Sequence, residues 1–283
     1  MDIANKLCVV TGANSGIGRE TVRAFAERGA YVVMVCRNEQ RARRAKRELV
    51  EQTGHTGLEV MLADLAIQYD IRQLAKQISG KFEEVDILVN NAGIIADERE
   101  ETIDGMEKTL AVNHLAPFLL TNLLLPQLKK AGSARIVNVS SEVHRLGAQF
   151  FDIDDLQLRN NYSPTRAYGI SKLCNIMFTH ELAKRCGDSS LTANSLHPGV
   201  VRTQLAEEAS WMMKLFYFIG KPFMRSPKSG AQTSIYLSTS DEVSSVSGKY
   251  FKNKREISPA SIAYDDELCH RLWEKSERLT GLA

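Results

Sequence analysis

The feature that most limits the fold of this chain is the alternation of short apolar runs with longer amphipathic stretches. Apolar runs occur at Leu7 to Val10, Tyr31 to Val35, Leu58 to Leu62, Ile87 to Val89, Ile136 to Val139, Leu191 to Leu196 and Gly248 to Phe251. Helical patterns lie between them, near Ile17 to Arg28, Asn38 to Gln52, Ile71 to Ile78, Met106 to Leu128 and Tyr168 to Cys186. Short apolar runs are typical of strands buried on both faces, which occur in parallel sheets covered by helices. We therefore predict an α/β fold, a doubly wound parallel sheet with helices on both faces.

The composition bears on domain number, partners and location. We find no repeat or Pro/Gly/Ser linker in the 283 residues, so we expect a single domain over 1–283. The 36 basic and 34 acidic side chains leave a net charge of +2, and no basic tract is suited to nucleic acid. The 5 cysteines are scattered without a CxxC pair, which predicts neither disulfides nor a metal site. We see no export signal or membrane span and expect a cytoplasmic protein.

A glycine-rich loop, Thr11 to Gly18, follows the first predicted strand. Glycines in such a loop let the chain turn sharply, let a diphosphate approach the backbone and let the next helix pack closely. A helix N-terminus also offers free N–H groups to phosphates. A merely structural turn is the alternative, but the place after the first strand favours a dinucleotide site in a Rossmann-type sheet. Its residues would be Gly12, Asn14, Ser15, Gly16, Ile17 and Gly18.

The end of the second predicted strand bears on the choice of dinucleotide. A carboxylate there would bind a ribose 2′-hydroxyl, whereas an arginine would pair with a 2′-phosphate. The chain has Cys36 and Arg37 at this point, followed by Asn38 and Arg41. We therefore predict NADP(H) as the cofactor, held in part by Arg37, Asn38 and Arg41. The basic residues that follow are interpreted as a solvated helix face, namely Arg43, Arg44 and Lys46.

Tyr168 and Lys172 are four residues apart, so a helix would place them on one face. A lysine beside a tyrosine favours the phenolate and lowers the pKa of the phenol from about 10 toward neutrality, where it can transfer a proton. An exposed pair on a surface helix is the alternative. Upstream, Ser140 and Ser141 follow a buried strand, where a hydroxyl could hold a substrate carbonyl. A Ser-Ser turn is the alternative there.

These motifs together resemble the short-chain dehydrogenase/reductase family. Thr11 to Gly18 matches its TGxxxGxG motif, Asn90 to Gly93 matches its NNAG motif, and Tyr168 to Lys172 matches its YxxxK signature. The spacing from Ser141 to Tyr168 is about twice that of a typical member. The added segment, Phe150 to Leu156, resembles the retinol dehydrogenase and protochlorophyllide reductase branch.

The resemblance also implies roles for single residues. It implies that Ser141 rather than Ser140 is catalytic, and that Asn113 supports Lys172 through a water. It implies that Asp64 contacts adenine, although a helix N-cap is a second role for that carboxylate. The remaining cofactor contacts that it implies are Leu65, Asn91, Ala92, Gly93, Tyr168, Lys172, Pro198, Gly199, Val201 and Thr203.

We therefore expect an oxidoreductase that interconverts a carbonyl and an alcohol by hydride transfer, with Tyr168 as general acid/base. A lipophilic substrate is expected, either retinoid-like or a long-chain aldehyde or ketone. A non-catalytic NADP(H)-binding redox sensor is the alternative, although a sensor has no need of a proton donor. The apolar segment Trp211 to Ile219 lies in a predicted lid near residues 204–228; core helix and peripheral membrane contact are its alternatives. The sequence also leaves open whether the protein forms a homo-oligomer.

Overall fold

In the computed structural model, which describes residues 1–187, 190–201 and 224–283, eight strands form one sheet. The strands are β1 Leu7–Thr11, β2 Tyr31–Cys36, β3 Leu58–Leu62, β4 Ile87–Asn90, β5 Arg135–Val139, β6 Thr192–His197, β7 Tyr250–Lys252 and β8 Arg255–Glu256. Their order is β3-β2-β1-β4-β5-β6-β7-β8. All neighbours pair in parallel except β7 and β8, which pair antiparallel. The predicted doubly wound parallel sheet is confirmed, and the two-residue β8 is too short to leave a pattern in the sequence.

Helices cover both faces of this sheet. The described helices are α1 Gly16–Ala26, α2 Glu39–Thr53, α3 Gln68–Lys81, α4 Lys108–Lys130, α5 His144–Gln149, α6 Pro164–Arg185, α7 Pro227–Thr239 and α8 Asp266–Thr280. Apolar side chains of α1, α2 and α7 form one core with the sheet, whereas those of α3, α4 and α6 form another. The alternation of side chains along a strand supplies both cores. In β1, for example, Val9 belongs to the second core and Val10 to the first.

Helix α4 is apolar along most of its length and contains a π turn, Ala111–Leu115. By length and composition, Lys108–Lys130 could cross a membrane, and a buried helix of a globular core passes the same test. Here 78% of its most apolar stretch is buried inside the protein. In this structure α4 is therefore a core helix.

The C-terminal helix α8 packs against α6 and α4 rather than against the sheet. Trp273 of α8 is buried, with its ring centre 4.9 Å from that of Phe118 in α4 and 5.8 Å from that of Phe178 in α6. Aromatic pairs at such separations add to the stabilisation from buried area. Helix α8 thus fixes the outer faces of the two helices that carry Asn113 and Tyr168.

The order of the strands determines where a ligand can bind. From β1 the chain proceeds to β2 and β3 on one side of the sheet and then returns to place β4 on the other side of β1. At such a switch point the connections leave in opposite directions, so a crevice opens beyond the carboxyl ends of the strands. The glycine-rich loop after β1 and the Asn-Asn-Ala-Gly segment after β4 lie side by side at this point.

Candidate active site

A cavity of about 720 Å³ lies at the carboxyl edge of the sheet, a size suited to a cofactor or small ligand. Most of the site residues predicted from the sequence are in its wall: Gly12, Asn14, Ser15, Gly16, Ile17, Arg37, Asn38, Arg41, Asp64, Leu65, Asn91, Ala92, Gly93, Ser141, Tyr168, Lys172, Pro198, Gly199 and Val201. Gly18 and Asn113 are not in the wall and contact residues that are. Thr203 and the predicted lid segment Trp211 to Ile219 lie outside the described residues.

The glycine-rich loop leaves the N-terminus of α1 open to the cavity. Gly12 has φ +65° and Gly16 has φ +53°, a left-handed conformation that other residues adopt at a cost. Ser15 is the N-cap of α1, and its side chain caps no N–H group among the described residues. The first turn of the helix contains no acidic side chain. The free N–H groups and the positive end of the helix dipole are therefore available to a phosphate.

The Asn-Asn-Ala-Gly segment after β4 supports this loop. Asn91 Nδ2 donates to Thr11 O at 2.8 Å, and Thr11 Oγ1 accepts from the backbone N–H groups of Asn91 and Ala92. A Cβ at Gly18 would lie 2.3 Å from Gly12 O and 2.5 Å from Asn91 Nδ2. Gly18 is thus required for close packing, and it contacts the loop rather than the cavity.

Two arginines at the ribose end of the cavity have free guanidinium groups. Arg37 and Arg41 are exposed, line the cavity and form no ion pair with any residue that the structure describes. By contrast, Arg43 pairs with Glu39 and Arg44 with Glu48 on the outer face of α2. The interpretation of Arg43 and Arg44 as a solvated face agrees with these ion pairs.

Asn38 and Asp64 are both in the cavity wall, and both also cap local backbone. Asn38 is the N-cap of α2, and its side-chain oxygen accepts from the N–H of Arg41 at 2.9 Å. Asp64 Oδ1 accepts from the N–H of Ala66 at 2.9 Å, whereas the N-cap of α3 is Ile67. The suggestion that Asp64 caps the next helix is therefore wrong, because α3 begins three residues further along than that role requires.

The two serines after β5 differ in their surroundings. Ser140 Oγ donates to the backbone oxygen of Lys172 at 2.7 Å, so this hydroxyl is used in joining β5 to α6. Ser141 lines the cavity as Ser140 does, but its Oγ accepts only weakly from the N–H of Val143 at 3.3 Å and lies close enough to Tyr168 to lower the pKa of that phenol. Ser141 is thus the serine whose hydroxyl is positioned to meet a ligand.

Tyr168 and Lys172 lie on one face of α6, as the spacing predicts. The helix begins at Pro164 with Ser163 as its N-cap, one turn earlier than the sequence pattern indicates. Lys172 Nζ donates to Val139 O at 3.0 Å and lies 5.5 Å from the centre of the Tyr168 ring. Both side chains reach the cavity together with Ser141.

The acid–base properties of the pair differ from the expectation. Burial raises the pKa of Tyr168 to about 12, and the hydrogen bond with Ser141 lowers it by a smaller amount. Burial also lowers the pKa of Lys172 to about 8. Lys172 therefore does not bring the tyrosine pKa near neutrality here, because its ammonium group is directed at Val139 O and desolvation dominates both groups.

Asn113 is fully buried in the π turn of α4 and connects three parts of the site. Its Oδ1 accepts from the N–H of Ile94 at 2.8 Å, and its Nδ2 donates to Ile94 O and to Ser171 Oγ. A Cβ on Gly93 would lie 3.3 Å from both Asn113 Oδ1 and Lys172 Nζ. Asn113 thus fixes the loop after β4 against the helix that carries Tyr168. His114 beside it is also buried and contacts Ser276 Oγ at 2.9 Å, a partner that the sequence does not reveal.

Sequence reasoning did not find three charged or titratable residues in the wall beside Ser141: Glu142, His197 and Lys252. His197 Nδ1 accepts from the N–H of Glu142 at 3.3 Å, and burial lowers the pKa of His197 to about 4. Glu142 Oε2 lies 3.7 Å from Lys252 Nζ. The place of Glu142 next to Ser141 was a signal that could have found it, whereas Lys252 is brought in from β7.

The described residues fit a nicotinamide dinucleotide. The positive φ angles of Gly12 and Gly16, the uncapped N-terminus of α1 and the free arginines after β2 match a diphosphate and a further phosphate. Any other residue at position 93 would bring its Cβ into contact with Lys172. These features define a class of protein, the Rossmann-type enzymes that hold a dinucleotide beside a serine, a tyrosine and a lysine.

The comparisons with known proteins identify the family within this class. The chain belongs to the short-chain dehydrogenase family, whose model, described as "short chain dehydrogenase", matches residues 6–153. Over 286 aligned positions it is 40% identical to human retinol dehydrogenase 13, covering 99% of this chain and 86% of that protein. Membership of this family makes the protein an oxidoreductase of the alcohol/carbonyl type.

Solved structures support the same assignment. An uncharacterized protein from Mycobacterium paratuberculosis has a TM-score of 0.80 and 33% identity, covering 99% of this chain and 95% of that chain. A short chain dehydrogenase from Escherichia coli CFT073, complexed with NADPH, has a TM-score of 0.70 and 27% identity, covering 88% of this chain and 97% of that chain. The similarity thus extends over nearly the whole chain.

Proposed function

We propose that this protein is an NADP(H)-dependent oxidoreductase that interconverts a carbonyl and an alcohol on a lipophilic substrate. The observation that carries the proposal is the meeting of Ser141, Tyr168 and Lys172 in the wall of the cavity that also contains the glycine-rich loop and Arg37. The dinucleotide end and the proton-transfer end of one cavity are the two parts that such a reaction needs.

Bound NADP(H) would supply the hydride donor or acceptor at the nicotinamide. Ser141 would donate a hydrogen bond to the substrate oxygen and orient it. Tyr168, with a pKa of about 12, carries its proton at neutral pH and would give it to that oxygen during reduction of a carbonyl. Lys172, with a pKa of about 8, is mostly charged at pH 7 and stabilises negative charge on the phenol oxygen after the transfer. Asn113 would hold the loop and helix that set these distances.

The preference for the 2′-phosphorylated cofactor rests on Arg37 and Arg41. Both guanidinium groups reach the cavity and lack an ion-pair partner in the described ranges, so a phosphate would gain their full interaction. The E. coli relative complexed with NADPH supports this choice. Asp64 and Leu65, on the loop after β3, would contact the adenine ring.

The substrate class is supported by the relatives named retinol dehydrogenase and by the wall near Ser141. Ile95, Val143 and Val200 present apolar surface to the cavity there, beside the charged pair Glu142 and Lys252. Each methylene buried by a substrate should strengthen binding by about 0.8 kcal/mol. We therefore expect kcat/KM to rise with chain length in a homologous series of aldehydes. A flat or falling series would rule out a lipophilic site.

The segment near residues 204–228 is proposed as a lid over the substrate, with its apolar part at Trp211 to Ile219. Contact with a membrane surface is the second role that this composition suits. Flotation with liposomes separates the two, because a lid leaves the protein in the unbound fraction whereas a membrane contact carries it upward with the vesicles.

Turnover is the first test of the proposed function. A screen of retinoids, steroids, quinones and small aldehydes with NADPH, followed at the nicotinamide absorbance, should find at least one carbonyl that is reduced. NADPH binding without reduction of any carbonyl would favour the alternative, a redox sensor. If the wild-type protein does reduce a carbonyl, loss of that activity in Tyr168→Phe would assign the proton transfer to Tyr168.

A further inference from the structure

His144 is fully buried three residues after Ser141, and both of its ring nitrogens are hydrogen-bonded to backbone. Its Nδ1 lies 2.7 Å from Ser141 O. Its Nε2 accepts from the N–H of Ala260 at 3.0 Å. The ring therefore bridges the segment after β5 and the C-terminal segment that leads to α8, two stretches that are far apart in the sequence.

The two partners determine the protonation state of the ring. A carbonyl oxygen can only accept, so Nδ1 must carry a hydrogen. A backbone N–H can only donate, so Nε2 must be without one. His144 is thus held as the neutral Nδ1–H tautomer, and an imidazolium would set two hydrogens against each other at Ala260.

An aromatic ring and a close helix contact surround His144. The ring of Tyr250 in β7 lies edge-on to it, with 5.0 Å between centres. Helix α5 is packed closely against α6, the helix that carries Tyr168, because a Cβ on Gly147 would lie 2.2 Å from the carbonyl carbon of Gly169. His144 thus lies where the segment after β5, the C-terminal segment and α5 meet.

We propose that His144 is a positioning residue, which holds the backbone of Ser141 so that its hydroxyl faces Tyr168. The proposal rests on the proposed function, because it assigns Ser141 a contact with the substrate oxygen. The other contacts of Ser141 are with its own segment and with Tyr168: its Oγ accepts from the N–H of Val143 at 3.3 Å, and its backbone oxygen also accepts from the N–H of His144 at 3.0 Å. The imidazole adds a link from Ser141 to the C-terminal segment at Ala260. Displacement of a reacting group by about 1 Å can cost roughly 10²-fold in rate.

The charged groups near the ring bear on the pH range in which it works. Burial lowers the pKa of His144, and Arg145 lowers it further, whereas Ser141 O and Glu142 raise it. Tyr250 faces the ring from β7, and His197, the last residue of β6, lies near it. The neutral bridge is therefore intact at neutral pH and is lost when acid protonates Nε2.

Three substitutions separate the two hydrogen bonds from the volume of the ring. His144→Phe keeps an aromatic ring against Tyr250 and removes both bonds. His144→Asn places an amide near Nδ1 and can still donate to Ser141 O, whereas His144→Gln places one near Nε2 and can still accept from Ala260 N. The matched control is His270→Phe, the same change at an exposed histidine of α8.

We expect kcat with a carbonyl substrate to fall about 10²-fold in His144→Phe. In His144→Asn kcat should be largely restored, whereas kcat of His144→Gln should be closer to that of His144→Phe. The dissociation constant for NADPH should change less than about threefold in all of them, because His144 is outside the cavity wall. Activity that followed the melting temperature of the variants instead of this order would overturn the proposal. So would kcat of folded His144→Phe within about twofold of wild type.

A measurement independent of turnover distinguishes this proposal from the proposed function. The protein has 6 histidines, and the nitrogen spectrum of 15N-histidine-labelled protein assigns His144 by the signal lost in His144→Phe. That signal should show the Nδ1–H tautomer at neutral pH. An Nε2–H tautomer would overturn the bridge whatever the activity, whereas a wild-type protein that reduces no carbonyl would contradict the proposed function and leave the tautomer result standing.

Discussion

The free guanidinium group of Arg37 leads to a prediction about cofactor choice. Replacing Arg37 by Gln removes the charge, keeps a polar side chain of similar reach and should weaken use of NADPH while leaving use of NADH nearly unchanged. The matched control is Arg43→Gln. Arg43 lies in α2, the helix that follows Arg37, and it is paired with Glu39 and is outside the cavity wall. The physical reason is that only NADPH carries the 2′-phosphate that Arg37 would contact.

The expected size of the effect follows from the exposure of the side chain. A hydrogen bond to a charged group contributes about 1.5–3 kcal/mol when well formed. Arg37 is exposed, so solvent and salt reduce this toward the lower end, about 1.5 kcal/mol. That value corresponds to about a tenfold loss in kcat/KM with NADPH. Arg41→Gln should give a loss of the same order, since Arg41 also lines the cavity without an ion pair in the described ranges.

The assay compares kcat/KM for NADPH and NADH, with wild type and each variant, at one ionic strength and again at higher salt. The preference of wild type for NADPH should narrow as salt is added, because the contact is electrostatic and solvent-exposed. Equal use of both cofactors by wild type would refute the reasoning. An equal loss with both cofactors in Arg37→Gln would place Arg37 against a part of the dinucleotide that the two share.

Three further predictions concern the proton donor, the packing of α5 and the buried His114. Tyr168→Phe should lower kcat/KM by about 10² to 10⁴ while NADPH binding, followed by fluorescence, stays nearly intact; retention of more than about a tenth of the activity would contradict the role. Gly147→Ala should lower the free energy of unfolding in urea by about 1–3 kcal/mol, because its Cβ would meet Gly169 at 2.2 Å, whereas Gly80→Ala, with open space around it, should not destabilise. Burial lowers the pKa of His114 to about 4, so as the pH falls from about 6.5 to about 4 the unfolded chain binds a proton at this residue that the folded chain does not. In this range His114 should contribute a loss of about 1.4 kcal/mol in the free energy of unfolding per pH unit, and His197, whose pKa is also lowered to about 4, should add to the slope. The slope should be shallower by about that amount in His114→Gln, and an unchanged slope would show that other groups cause it.

The sequence predicts well those parts of the site that are local. The Thr11 to Gly18 loop, the pair Tyr168 and Lys172, and Arg37 each sit at a strand end or within one helical turn, where spacing alone determines what is near. The parallel sheet is also predicted from local patterns, because each buried strand is a short run of apolar residues in the sequence. The place of these residues in one cavity then follows from the strand order.

The parts that the sequence does not predict depend on distant contacts. Desolvation by the folded chain raises the pKa of Tyr168, and the lysine four residues away does not reverse that shift. The hydrogen bond between His144 and Ala260 joins residues 116 positions apart. Lys252 reaches the cavity from β7, at the opposite end of the chain from the glycine-rich loop. No short-range pattern records such contacts.

The π turn of α4 ties the site to the number of residues in that helix as well as to their kinds. One extra residue is accommodated in the turn Ala111–Leu115, and Asn113 is held at its centre. Losing one codon there would let the helix relax to a regular α form, and the segment on one side would rotate by about 100° relative to the other. Either Asn113 would turn away from Ile94 or Phe118 would leave the core against Trp273. Single-residue deletions in this turn should therefore be tolerated less often than most substitutions. Insertions in the exposed loops should be tolerated more often than any change in the length of this helix.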